Sequence, residues 1–108
     1  MDIQLKRGLL EVCVLAAIKD EASYGYRIIK DIKPFVEISE STLYPILRRL
    51  EAAELLSVRT AEHNGRLRKY YRITPAGLER IEAFREEWRE IMSIYKFVTK
   101  EDIDNDKE

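Results

Sequence analysis

Apolar residues in this chain recur every three or four positions up to about residue 53, every second position from 56 to 73, and every three or four again to residue 98. Leu5, Leu9, Val12, Cys13 and Ala16 sit at helical spacing and thicken into Val14-Leu15-Ala16-Ala17-Ile18, which predicts a mostly buried first helix. Lys19-Asp20-Glu21 is a polar break. A second helix follows from about Tyr24 to Lys33, with Ser23 as its candidate cap, Ile28, Ile29 and Ile32 facing inward, and Pro34 as its stop. A third begins at Ser39 or Ser41 and runs to about Ala53; Pro45 fits best near a first turn, which favours the later start. Leu43, Ile46, Leu47 and Leu50 share one arc of that helix, leaving Ser41, Pro45 and Arg48 opposite, with Thr42, Tyr44 and Arg49 on the flanks.

The period then changes to two. Residues 56–61 and 67–73 read as strands around His63-Asn64-Gly65-Arg66, and Asn-Gly is the strongest short hairpin signal because both turn residues take positive φ. A two-residue turn sets Val58 opposite Tyr71 and Leu56 opposite Ile73. Ser57, Arg59, His63, Arg66, Arg68, Tyr70 and Arg72 then gather on the other face, so the register divides an apolar side from a basic one. Thr74-Pro75 is a cap followed by proline at the first helical position. The last helix runs to about Val98, with Ile81, Phe84, Trp88, Ile91, Tyr95 and Val98 as a short heptad seam. These elements predict a mainly α (α+β) fold, a winged helix-turn-helix over residues 1–74 with an added long C-terminal helix over 75–98, whose apolar stripe makes it the candidate dimerisation helix. Residues 99–108 read as an acidic, disordered tail.

Composition narrows the function classes. A chain of 108 residues fits one compact domain, and at 45% apolar and 36% charged it is neither disordered nor membrane-embedded. The longest apolar run, Val12 to Ile18, is too short to cross a bilayer. No basic-then-apolar leader opens the chain, and a single cysteine excludes an internal disulfide and any cysteine-rich zinc site; both predict a cytoplasmic protein. No cofactor or metal is expected. Tyr26-x-x-x-Lys30 and Ser93-x-x-Lys96 match short catalytic patterns without a supporting polar cluster, and Asp102-x-Asp104-Asn105-Asp106 lacks the glycine and closing glutamate of a calcium loop. All three read as chance, and the chain is not expected to be an enzyme.

Charge is what changes the picture. The net charge of −1 resolves into −1 over residues 1–40, +4 over 41–72 and −4 over 73–108. A basic middle on a helix and a hairpin, between acidic flanks, points to an anionic partner. In a winged helix-turn-helix the third helix enters the major groove and the hairpin touches the backbone beside it. Arginine can bridge guanine or grip phosphate, and Ser, Thr and Tyr hydroxyls suit phosphate oxygens. The candidate DNA contacts are Tyr24, Ser39, Ser41, Thr42, Tyr44, Arg48, Arg49, Arg66, Arg68 and Lys69, with double-stranded operator DNA as the partner.

Gly8-Leu9-Leu10-Glu11, Tyr24-Gly25-Tyr26, Thr42-Leu43-Tyr44-Pro45, Arg48-Arg49-Leu50-Glu51 and the run from Arg68 to Gly77 resemble the PadR family of bacterial transcriptional regulators, over roughly residues 5–98. The fourth helix, short for the family, resembles that of the branch with a single C-terminal helix and not the longer one. Glu54 departs from the pattern, since the family usually has glycine after this helix. The resemblance implies a homodimer in which the last helix packs on its partner and on the first helix, and a repressor of detoxification, phenolic-acid or drug-efflux genes. It also implies a possible aromatic effector at the dimer centre, stacked on Trp88, with Leu9, Val12 and Ala16 as walls. Duller readings stand beside these. Trp88 can be a packing residue; Tyr24, Tyr26, Tyr70 and Tyr71 can be core aromatics; Arg48 and Arg49 can pair with Glu51 or Glu54; Cys13 reads as core and His63 as an exposed turn residue. The rival class is a winged-helix protein-interaction module without an operator.

Overall fold

The structure, a computed structural model that describes residues 1–101, runs α1 (Ile3–Ala17), α2 (Gly25–Ile32), α3 (Glu40–Ala52), β1 (Leu56–His63), β2 (Arg66–Ile73) and α4 (Pro75–Thr99). Residues 102–108, which hold most of the expected acidic tail and the calcium-loop-like run, lie outside the described residues. No described helix is long and apolar enough to cross a membrane.

The core forms where the apolar arcs of the first three helices meet the inner face of the hairpin. Leu15 and Ile18 at the end of α1, Ile28 of α2, Leu43, Leu47 and Leu50 of α3, and Leu56 of β1 are all fully buried, and Ile81 joins them from α4. Asp2 caps α1, its carboxylate accepting the Leu5 N–H at 3.0 Å. The hairpin has the register its pattern predicts: Leu56 pairs with Ile73, Val58 with Tyr71, and His63 with Arg66 across an Asn64-Gly65 turn whose φ values are +53° and +79°. Two positive φ values make a type I′ turn, whose twist matches that of the strands.

Two element starts differ from the sequence reading. Ser23 does not cap α2; Tyr24 holds the cap position, and Ser23 is drawn into a bridge with Tyr71 through both backbone hydrogen bonds, at 3.0 and 2.7 Å. That bridge turns the Ser23 side chain into the core, where its hydroxyl finds no partner among the described residues. The later start for α3 is also wrong. Ser39 is the cap, its carbonyl accepting from Thr42 and Leu43, and Pro45 lies inside the helix. Proline is tolerated there because the Ser41 carbonyl it leaves without a helical donor is on the exposed side.

α3 ends in a left-handed cap. Glu54 has φ +62°, the Glu54 and Leu55 N–H groups return to Glu51 and Leu50, and the Glu54 carbonyl accepts the Thr74 hydroxyl at 2.8 Å. Thr74 also caps α4, its Oγ1 accepting from the Gly77 N–H at 3.1 Å. One threonine therefore ties the end of α3 to the start of α4. The molecule spans 63 × 26 × 23 Å because α4 continues beyond the core. Its outer half leaves Ile94, Phe97 and Val98 exposed by 63, 73 and 68%, which no isolated core explains.

Candidate nucleic-acid interface

α3 buries Leu43, Ile46, Leu47 and Leu50, and this fixes what it can present. Ser41, Thr42, Tyr44, Arg48 and Arg49 are exposed on the remaining arc, with Pro45 half-buried near its middle. Ser39 at the cap is exposed as well, its hydroxyl within hydrogen-bond distance of those of Ser41 (3.0 Å) and Thr42 (3.3 Å). Three hydroxyls thus cluster at the start of α3, beside the backbone donors that every helix leaves open there.

The two arginines of α3 part company. Arg48 makes no ion pair among the described residues. Arg49 turns to α1, its Nε 3.1 Å from a Glu11 carboxylate oxygen, while the other oxygen of Glu11 lies 3.8 Å from Arg80 of α4. Both arginines are exposed; Arg49, on the flank of the arc toward α1, is the one that the Glu11 carboxylate reaches. Neither Glu51 nor Glu54 pairs with Arg48 or Arg49.

On the hairpin side, the bridge at Ser23 lays the segment before α2 along β2, so that Tyr24 falls across from Tyr70 on the outer face. Their rings meet edge-on at 5.9 Å. Arg68 lies flat over Tyr24 with its guanidinium 3.8 Å from the ring centre, and one of its nitrogens donates to the Tyr70 hydroxyl at 3.3 Å. Arg59 approaches the Tyr70 ring to 6.0 Å. Attraction of a guanidinium to a ring face leaves its positive charge in place and narrows where it can point. Sequence pattern alone does not reveal this stacked set; its one legible signal is the shared face of Arg59, Arg68 and Tyr70.

Lys69 differs from its neighbours. The register puts Thr60 and Lys69 on the face shared by Val58 and Tyr71, and Arg66 and Arg68 on the other. Lys69 and Arg68 nonetheless both border a groove with Tyr24, Gly25, Tyr26, Tyr44, Leu67 and Tyr71, between the hairpin and the start of α2 and α3. A side chain at Gly25 would collide with the Tyr44 hydroxyl, so glycine lets that ring lie against α2. Burial pushes the Tyr71 phenol above its ordinary value; Tyr44 and Glu51 add to the push and Arg48 opposes it.

The last helix carries the second candidate site. Ile81 is buried and Phe84 half-buried, whereas Trp88, Ile91, Tyr95 and Val98 are exposed. Trp88 stacks on Phe84 with ring centres 6.0 Å apart. A groove between α1 and α4 is lined by Leu9, Val12, Phe84, Trp88 and Ile91, with Arg80 and Glu87 at its edge. Ala16 is no part of it: it is exposed on α1, one helical turn beyond Val12. Ile94 is exposed on α4 and the heptad count misses it, since it falls between seam positions.

Comparison with known proteins agrees with this geometry. Residues 14–83 match the sequence profile described as the transcriptional regulator PadR-like family. A solved structure from Streptococcus mutans is 44% identical, with a TM-score of 0.75 over 86% of this chain and 89% of that one. A PadR-like transcription factor from Bacteroides fragilis is 32% identical, with a TM-score of 0.80 over 88% of this chain and 94% of its own. PadR of Bacillus subtilis, solved in complex with operator DNA, shares the fold at a TM-score of 0.67 and 22% identity, over 70% of this chain and 46% of that one.

Proposed function

This chain belongs to the PadR-like family of transcriptional regulators, whose members are not enzymes, and from that premise we propose that it is a homodimeric, cytoplasmic repressor that binds a pseudo-palindromic operator. The observation that carries the DNA reading is the exposed arc of α3, with the hydroxyls of Ser41, Thr42 and Tyr44 and the Arg48 guanidinium, bordered at Tyr44 by the groove that Arg68 of the hairpin, held on Tyr24, also lines. Arg48 reads base edges. Arg66, Arg68 and Lys69 grip backbone phosphate, and Tyr24 and Tyr70 hold Arg68 ready to do so. The Bacillus subtilis neighbour, bound to operator DNA, supports the same use of the fold.

A dimer joined through Ile81, Phe84, Trp88, Ile91, Tyr95 and Val98 covers the apolar half of α4 and presents two α3 helices to half-sites about 34 Å apart. In the groove beside Trp88, Leu9, Val12 and Phe84 suit a planar aromatic effector, which stacking holds with little hydrogen-bond geometry. Such a ligand releases DNA only if it favours the non-binding geometry.

The test is binding of duplex DNA from the protein's own promoter region against random duplex. Preference for the former, abolished in Arg48→Ala, supports the regulator; equal weak binding of both supports a protein-interaction module instead. Arg66→Ala with Arg68→Ala flattens the salt dependence by roughly 0.9 for each phosphate no longer gripped. For the effector, Trp88 is the only tryptophan, so its emission reports occupancy. Saturable quenching of Trp88 by planar aromatics, with calorimetric binding of the same compounds lost in Trp88→Ala, supports the site, and a broad aromatic panel without effect on emission or operator affinity removes it.

A further inference from the structure

We infer that Lys6 and Arg7, in the first turns of α1, form a second phosphate-gripping edge on the side of α3 away from the hairpin. The inference rests on the operator reading above and extends it to residues which that reading does not use. An α-helix lying in the major groove, about 12 Å wide, has a phosphate ridge on each side of it. The hairpin serves one ridge. The other needs cations along the opposite border of α3.

Position supplies the first argument. Lys6 and Arg7 line a cleft with Ile3 of α1 and with Thr42, Pro45 and Arg49 of α3. Pro45 lies near the middle of the exposed arc of α3, and Thr42 and Arg49 lie on the border opposite Tyr44, which meets the hairpin-side groove. The exposed arc of α3 is thus bounded by cations on both borders.

Pairing supplies the second. Five arginines are engaged with carboxylates, Arg27, Arg80, Arg85 and Arg89 outside this cleft and Arg49 within it. Lys6 and Arg7 are exposed and make no ion pair among the described residues. Arg49 shares their cleft but is already paired with Glu11, so the cations there without an ion pair among the described residues are Lys6 and Arg7. The acids nearby are also occupied, Asp2 with the Leu5 N–H and Glu11 with Arg49 and Arg80. A cation without an internal partner gives up no ion pair when it meets a phosphate.

Topology supplies the third and says which phosphates. α1 packs on α4 as well as on α3, so the α1 border of α3 faces the dimer seam and the hairpin border faces away from it. Lys6 and Arg7 therefore grip backbone between the two half-sites, and the hairpin grips backbone outside them.

The experiment is a salt titration of binding to duplex DNA from the protein's own promoter region, with phosphate-ethylation interference on the same fragment. Lys6→Ala with Arg7→Ala lowers the salt slope by roughly 0.9 for each phosphate that a protomer no longer grips. It removes interference between the half-sites and leaves the outer positions, whereas Arg66→Ala with Lys69→Ala removes the outer ones. The charge-keeping pair Lys6→Arg with Arg7→Lys retains the wild-type slope. Both sites are exposed, and circular dichroism checks that the variants fold. Wild-type binding with an unchanged slope and an unchanged central pattern in the alanine pair overturns the second edge alone. Wild-type protein without salt-dependent binding overturns the operator reading and this inference with it.

Discussion

Replacing Glu54 by glycine stabilises this protein, and the reason lies in one backbone angle. Glu54 closes α3 at φ +62°, a conformation in which an L side chain crowds the following carbonyl at a cost of about 1–2 kcal/mol. Its side chain returns nothing, since it forms no hydrogen bond or ion pair among the described residues; only its backbone is used, the N–H donating to Glu51 and the carbonyl accepting from Thr74. Glycine removes the crowding and keeps the carbonyl. It also adds freedom to the unfolded chain, which costs roughly 0.4–1 kcal/mol. The difference leaves a net gain of about 0.5–1 kcal/mol, a rise of roughly 2–6 °C in Tm for a chain of this length. Thermal unfolding by circular dichroism at one fixed protein concentration measures it, because an oligomer's Tm depends on concentration. Glu54→Ala is the control: it removes the charge and leaves the strain, so it yields no such gain. A Glu54→Gly variant no more stable than wild type, or an alanine variant that gains as much, refutes the strain account.

Other consequences follow from single contacts. Ser23→Ala leaves stability unchanged or raises it by up to about 1 kcal/mol in denaturant titration, since it removes a buried hydroxyl without a partner among the described residues. Gly77→Ala costs about 1–2 kcal/mol in the same assay despite alanine's helix propensity, because the new methyl would strike the Leu55 carbonyl oxygen and the Ile73 side chain. Ile91→Glu shifts sedimentation toward monomer or aggregate by placing a charge in the α4 seam, and a wild-type monomer at tens of micromolar would contradict the seam. The Tyr71 phenol is raised on folding, so its contribution to stability is complete below about pH 10, its ordinary value, and is lost as pH climbs through the folded value. Tyr71→Phe therefore shows a shallower loss of stability above pH 10 than wild type.

What the chain declares about its fold is whatever is periodic or local. The hairpin register is readable because a two-residue Asn-Gly turn leaves one pairing that puts Leu56, Val58, Tyr71 and Ile73 on the same side, and a slip of one residue would bury Arg72 instead. The apolar stripe of α4 is readable for the same reason, from spacings of three and four. Ser23 misleads because a single bridge has no period, and a serine before a helix looks like a cap until its backbone is claimed by Tyr71. The start of α3 misleads because Pro45 argues for a late one, whereas the carbonyl of Ser39 collects both Thr42 and Leu43 and fixes an earlier one.

The site is legible as a surface and not as a set of contacts. A helical wheel places Arg48 opposite the core arc and Arg49 on its flank, both outside the core, and nothing within α3 says which of them is paired inside the protein. What separates them is Glu11, thirty-eight positions away in sequence and 3.1 Å away in space. The same carboxylate reaches Arg80, which borders the groove beneath Trp88, so the charge that pairs with Arg49 is shared with the helix that carries the seam. Arg68 shows the converse. Its place on the hairpin marks it as basic, but its hold on Tyr24 depends on a bridge between segments nearly fifty residues apart. Each side chain's charge is written in the sequence; whether that charge is neutralised inside the protein or left for a partner is decided by residues brought in from other elements.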